Sequence, residues 1–225
     1  MITKANILSD FYITIPLFIW VFFVIKYLSR WIYNFAVKKG YPPDSATYFG
    51  RKIVHLFGAG FVTLSIPFLF REPFLPFLSA VILAIYTWLP HKKDKLYPWF
   101  QIKNDLKVTN FSIMWGLSIL IGWFFDKTFW LGVIPALFMS FGDGVSGIVR
   151  NLKYKKRVKA WEGSLAMFVC CALIGGLKMG LGGIIAAILA TVIEKVVPVD
   201  SNILDDNILI PLVSFLTLIF FKFKI

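Results

Sequence analysis

The chain has 225 residues, 58% of them hydrophobic and 16% charged, with a mean hydropathy of +0.76. That balance excludes an ordinary water-soluble domain and makes lipid the solvent for most of the surface. Lysine and arginine outnumber aspartate and glutamate 24 to 12. In a membrane protein such an excess belongs to loops and to phosphate-bearing partners, and with no aromatic-basic recognition motif present, nucleic acid is not an expected partner.

A bilayer core of about 30 Å asks for about 20 apolar residues in a helix. Eight runs approach that length: 11–28, 53–70, 73–90, 109–125, 128–149, 164–177, 180–197 and 207–221. The spacing predicts an all-α polytopic membrane protein with about eight spans, one integral domain over 1–225. Residues 1–50 supply the first span and an interfacial helix followed by a loop, with "KKGYPPDS" as a turn, and 51–225 form the main helical bundle. The first run is too long for a removed signal. Only Arg71 and Glu72 part the second run from the third, and only Asp126 and Lys127 the fourth from the fifth, so both pairs read as tight hairpins. The sixth and seventh runs are short and meet in "GGLKMGLGG", where small residues let helices approach closely.

Seventeen of the lysines and arginines fall on alternate connections, and six on the other side with both termini. That bias predicts basic loops in the cytoplasm and both termini outside, in the cell membrane or an endomembrane. An acid at the bilayer centre costs about 2.5–3.5 kcal/mol on insertion scales, so ionisable groups near span ends are functional suspects. On this topology Asp143, Glu162, Glu194, Asp205 and Asp206 all approach the basic leaflet, as do Arg51, Lys52 and His55. A transporter would more often string such groups through the midplane. An enzyme joining a soluble nucleotide to a lipid head group would gather them at one interface.

The segment "GDGVSG", 142–147, fits G-x-G-x-x-G but follows a long apolar run instead of a strand, which excludes a dinucleotide fingerprint. Gly142, Gly144 and Gly147 either let backbone amides approach phosphate oxygens or serve helix packing. Asp143 suits magnesium, a hard cation held by one or two carboxylates plus substrate phosphates, and Glu194, Asp205 and Asp206 are candidates for the same ion. The competing reading is that acids beside a helix start stabilise its dipole. Arg51, Lys52 and His55 share one helical face. The cations Lys155, Lys156, Arg157 and Lys159 either anchor the loop at the membrane or meet phosphate. No Walker A motif, H-E-x-x-H, G-x-S-x-G or cysteine-histidine cluster occurs.

Four stretches, "RKIVHLFGAG", "FGDGVSGIV", "KAWEGSLAMF" and "DDNILIPL", resemble in order the motifs of CTP-dependent lipid kinases. These include dolichol kinases, phytol and farnesol kinases and the CTP-dependent diacylglycerol kinase. The resemblance covers roughly residues 50 to 215. It implies transfer of the γ-phosphoryl group of CTP to a lipid hydroxyl, with Mg²⁺, at the cytoplasmic face. By position Arg51 and Lys52 match the family's basic pair, Asp143 its aspartate, Glu162, Gly163 and Ser164 its "EGS", and Asp206 and Asn207 its late acidic motif. Two departures stand out: Ser146 replaces the usual alanine, and the later glycine is absent from "IVRNLKYKK". "KAWEG" is also similar to the CDP-diacylglycerol synthases, which attack the α-phosphorus, but their "PGHGG" signature is missing.

Resemblance and charge together give expected roles. Asp143, with Glu194 or Asp206, holds magnesium. Arg51 and Lys52 clamp the triphosphate with Lys155, Lys156, Arg157 and Lys159, assisted by Ser164 and the glycines. His55 or a carboxylate such as Glu162 orients the lipid hydroxyl. The expected partners are CTP and a membrane lipid alcohol, either a polyprenol such as dolichol or geranylgeraniol or a diacylglycerol-like lipid. A homodimer is compatible with the sequence. A cytidylyltransferase and a small transporter are the alternatives.

Overall fold

The computed structural model describes residues 4–198 and 205–224, so residues 1–3, 199–204 and 225 of the expected domain lie outside the described residues. Those residues form helices and connections, with no strand among them. The order is α1 (Lys4–Phe23), α2 (Ser29–Lys38), α3 (Pro43–Ile53), α4 (Phe61–Leu69), α5 (Phe74–Lys92), α6 (Lys107–Phe125), α7 (Trp130–Leu137), α8 (Asp143–Tyr154), α9 (Trp161–Val196) and α10 (Asp206–Lys224). Three π-helical turns, Val24–Leu28, Val54–Gly60 and Phe138–Gly142, join α1 to α2, α3 to α4 and α7 to α8 without a break. Seven helical rods are therefore long and apolar enough to cross a membrane.

The sixth rod accounts for the difference from eight expected runs. A straight helix of 36 residues would be about 54 Å long. Yet Lys195 Nζ donates to the carbonyl of Lys159 at 3.0 Å, joining the two ends of α9. The reversal lies at Gly180, whose φ of 54° and ψ of −133° are non-helical. Beside it Gly175 and Gly183 are in such close contact that a Cβ on Gly183 would run into the Gly175 backbone. The sixth and seventh runs are two arms of one hairpin.

Residues 43–50 are not a loop. Pro43 opens α3 at the first helical position, where its missing N–H costs nothing, and residues 45–52 are buried. The turn before it is only 39–42, with Gly40 at φ 80°. Residues 29–38 continue the first span instead of lying apart from it.

Contacts sort the connections into two ends. At one end Asp10 accepts from the backbone N–H groups of Arg71 and Glu72, Lys222 pairs with Asp126 at 2.9 Å, and Lys178 lies over Trp130. Both terminal helix ends, the two tight turns and the Gly180 reversal gather there. The basic connections gather at the other, where segment 93–106 crosses the bundle. Thr47 Oγ1 holds its Pro98 carbonyl at 2.6 Å, and Trp99 Nε1 donates to Ile25 O at 2.8 Å.

Candidate active site

Two of the π turns set the site. A π turn widens the helix by one residue and is frequent where function needs a side chain re-aimed. His55 lies in the turn after α3, and Asp143 follows directly on the turn after α7. These helices meet face to face, because Gly144 packs on Leu56 and Gly147 on the Lys52 side chain and the Tyr48 hydroxyl. Lys52 Nζ reaches Asp143 Oδ2 at 2.5 Å, and His55 Nδ1 lies 3.3 Å from the same oxygen. His55 also stacks on Phe111, with centroids 4.1 Å apart.

Asp143, Glu194 and Asp206 come from three helices separated by up to 63 positions, and each offers a carboxylate oxygen within 4.8 Å of the others. All three are buried. Like charges so placed need compensation, and three cations give it. Lys52 takes Asp143, and Arg150 grips Glu194 through both terminal nitrogens at 2.6 Å. Lys159 bridges Glu194 at 2.6 Å and Asp206 at 3.2 Å. Burial depresses the Lys159 ammonium, but Asp206 and Glu194 outweigh it and hold the group above its ordinary value. The donors suit a hard divalent cation, which takes carboxylate oxygens. Three carboxylates against three cations leave the cluster near neutrality.

Arg150 is the residue that sequence reasoning does not single out. It is 1% exposed, and its seat is built by the "EGS" motif: Gly163 leaves no side chain where the guanidinium lies, and Ser164 Oγ accepts from Nη2 at 3.1 Å.

 It also donates from Nε to the carbonyl of Ala160 at 3.1 Å. The motif therefore works by seating Arg150, which in turn seats Glu194. The signal was present: 143, 147 and 150 fall on one face of α8 at helical spacing.

The other expected residues divide. Arg51 is buried but pairs with Asp105 at 3.0 Å, away from the three carboxylates, and Arg157 stands 3.7 Å from the same acid. Burial pushes the Asp105 carboxyl up, but the Arg51 guanidinium and the Lys107 amide pull it below the usual range. Lys155, Lys156 and Arg157 line a polar cleft of about 740 Å³ with Tyr48, Lys103 and Lys107. Lys155 and Lys156 are exposed at its rim. Glu162 is not brought to the cluster: it pairs with Lys153 and accepts from the Tyr154 hydroxyl at 2.9 Å. The Asp143 amide bonds back to the Phe138 carbonyl within the helix, and Gly142 packs against Cys171 and Met167, contacts of the helix-packing kind. Asp205 receives the Asn110 amide at 2.9 Å and the Asn207 amide at 3.0 Å, beside the carboxylates but not among them. Burial and the neighbouring Asp206 push its carboxyl up to about 7.

Fold and site together define a multi-pass helical membrane protein with a buried carboxylate–cation cluster at one end of its bundle. Its sequence is similar to a probable chloroplastic phytol kinase of Triticum aestivum, 26% identical over 74% of this chain, and to one of Glycine max, 25% identical over the same share. The match spans 65% and 63% of those proteins. No family model and no solved structure matches.

Proposed function

We propose that this protein is a lipid kinase that transfers the γ-phosphoryl group of CTP to the hydroxyl of a membrane alcohol of the prenol type, at the cytoplasmic face. The observation that carries the reading is the meeting of Asp143, Glu194 and Asp206 with Lys52, Arg150 and Lys159. Phosphoryl transfer asks a protein mainly to position its substrates and neutralise charge, and that cluster has the parts for both. The similarity to phytol kinases supports the prenol acceptor. The resemblance of the four motifs supports CTP, and the basic connections at the site end support the cytoplasmic face.

Asp143, Glu194 and Asp206 would hold Mg²⁺, which would supply positive charge for the donor's phosphate oxygens. The donor lies in the polar cleft under Arg157 and Lys107, its phosphates pointing at Lys159 and Lys52. The acceptor oxygen forms a bond to the γ-phosphorus as the bridge oxygen to the β-phosphorus is released with CDP. The hydroxyl proton passes to His55 or to a carboxylate beside it.

The experiment follows label. Purified protein in prenol-containing liposomes should place γ-label from CTP in the lipid and release CDP. Entry of α-label, with an equal amount of pyrophosphate, would instead make it a cytidylyltransferase.

A further inference from the structure

An apolar chamber runs through the bundle between α1, α4, α5 and α6, apart from the polar cleft. Arg51, His55 and Thr87 line it at the site end, and Thr14, Phe70 and Pro76 at the far end. The wall hydroxyls of Thr14, Thr87 and Ser112 donate to carbonyls of their own helices. Two buried polar atoms are left over, both at the site end. Arg51 Nη2 has no hydrogen-bond partner, and His55 Nδ1 makes no hydrogen bond although it stands 3.3 Å from Asp143. A buried donor without a partner costs about 1–3 kcal/mol, so these atoms call for a polar ligand group at that end. Leu17 and Phe18 on α1 and Ser79 and Leu83 on α5 are only half buried, which opens the chamber sideways to lipid.

We infer that this chamber seats the hydrocarbon tail of the acceptor, one chain wide, with its hydroxyl at Arg51 and His55 and its far carbons at Phe70 and Pro76. The inference rests on the kinase reading for the meaning of "acceptor". The chamber is narrow: its lining side chains leave only about 80 Å³ for the centres of water-sized spheres. One chain fits its width, whereas a two-chain lipid such as diacylglycerol would leave a tail outside. Eleven positions separate Pro76 from Thr87 and fifteen separate His55 from Phe70. At 1.5 Å per residue the lined length is about 16–22 Å, room for on the order of fifteen main-chain carbons. The chamber thus acts as a ruler, accepting a chain of that length whole and leaving most of a long polyprenol in the bilayer.

Two measurements test it. In the first, the wild-type protein is photolysed with geranylgeraniol carrying a diazirine either at its terminal carbon or next to the hydroxyl. Terminal label should land on Thr14, Phe70 or Pro76, and hydroxyl-end label on Val54, Val108 or Phe111. Because no turnover is needed, these sites labelled without any phosphorylation would uphold the chamber and sink the kinase reading. Kinase activity with both labels confined to lipid-facing residues such as Phe68 and Ile82 would uphold the kinase and overturn the chamber. In the second, Ser79→Trp should plug the deep half. Turnover of geranylgeraniol relative to geraniol should fall at least tenfold, and an unchanged ratio would overturn the ruler.

Discussion

The two ends of the bundle both bury acids, but they use them differently. At the end with the tight turns, Asp10 is fully buried and accepts the backbone N–H groups of Arg71 and Glu72 at 2.8–3.2 Å. Its lone pairs close a turn, as a capping residue does. At the other end Asp143, Glu194 and Asp206 face one another and side-chain cations instead of turn amides. Burial alone thus says little about an acid's role; the kind of partner does. Backbone donors fix an acid for good, whereas a lysine can be exchanged for a metal ion or a phosphate.

Substitution at each end should widen that contrast. Asp143→Asn keeps size and most packing, so the protein should remain folded while phosphoryl transfer falls by at least two to three orders of magnitude, as for other preorganised charged sites; label transfer and size-exclusion profiles read both. Loss of the folded peak would make Asp143 a structural acid like Asp10. Lys52→Ala should cost nearly as much activity, since it removes the Asp143 partner. Arg51→Ala, which removes the Asp105 pair and the acceptor contact proposed above but no partner of the three carboxylates, should cost less, and an equal loss with the KM for the lipid unchanged would put Arg51 in the phosphate clamp. Asp10→Ala should do the reverse, lowering stability by about 1–3 kcal/mol through the orphaned turn amides while activity per folded molecule stays unchanged. The smallest effect belongs to Glu162→Gln, which breaks only a half-exposed pair with Lys153; activity should stay within about threefold, because exposed pairs contribute about 0–1 kcal/mol.

Much of this was legible in the sequence. Each apolar run matches a rod or a hairpin arm, since a span needs length and composition and nothing else. The metal candidates Asp143, Glu194 and Asp206 stood out because acids near span ends are scarce. Less legible was anything decided by partners. Arg51 looks like Lys52 in the sequence, yet the roughly 100° between adjacent helical residues sends it to Asp105, in a connection with no motif of its own. Glu162 carries the motif's charge, but Gly163 and Ser164 beside it do the seating of Arg150. The glycines of 142–147 read for phosphate and for packing, and which side chains they touch is set by neighbouring helices that no local pattern names.

The π turn at Phe138–Gly142 amounts to one residue inserted into a continuous helix. Everything after it is rotated by about 100° relative to an unbroken α-helix, one residue's share of a turn. Upstream, α7 is apolar and buried on all sides; downstream, α8 turns Asp143, Gly147 and Arg150 towards α3 and α9. The insertion is thus a gear between two phases, letting one rod satisfy lipid-depth packing along one half and aim charge along the other. Deleting a single residue there would leave composition and length almost untouched and point the whole acidic face at the wrong neighbour.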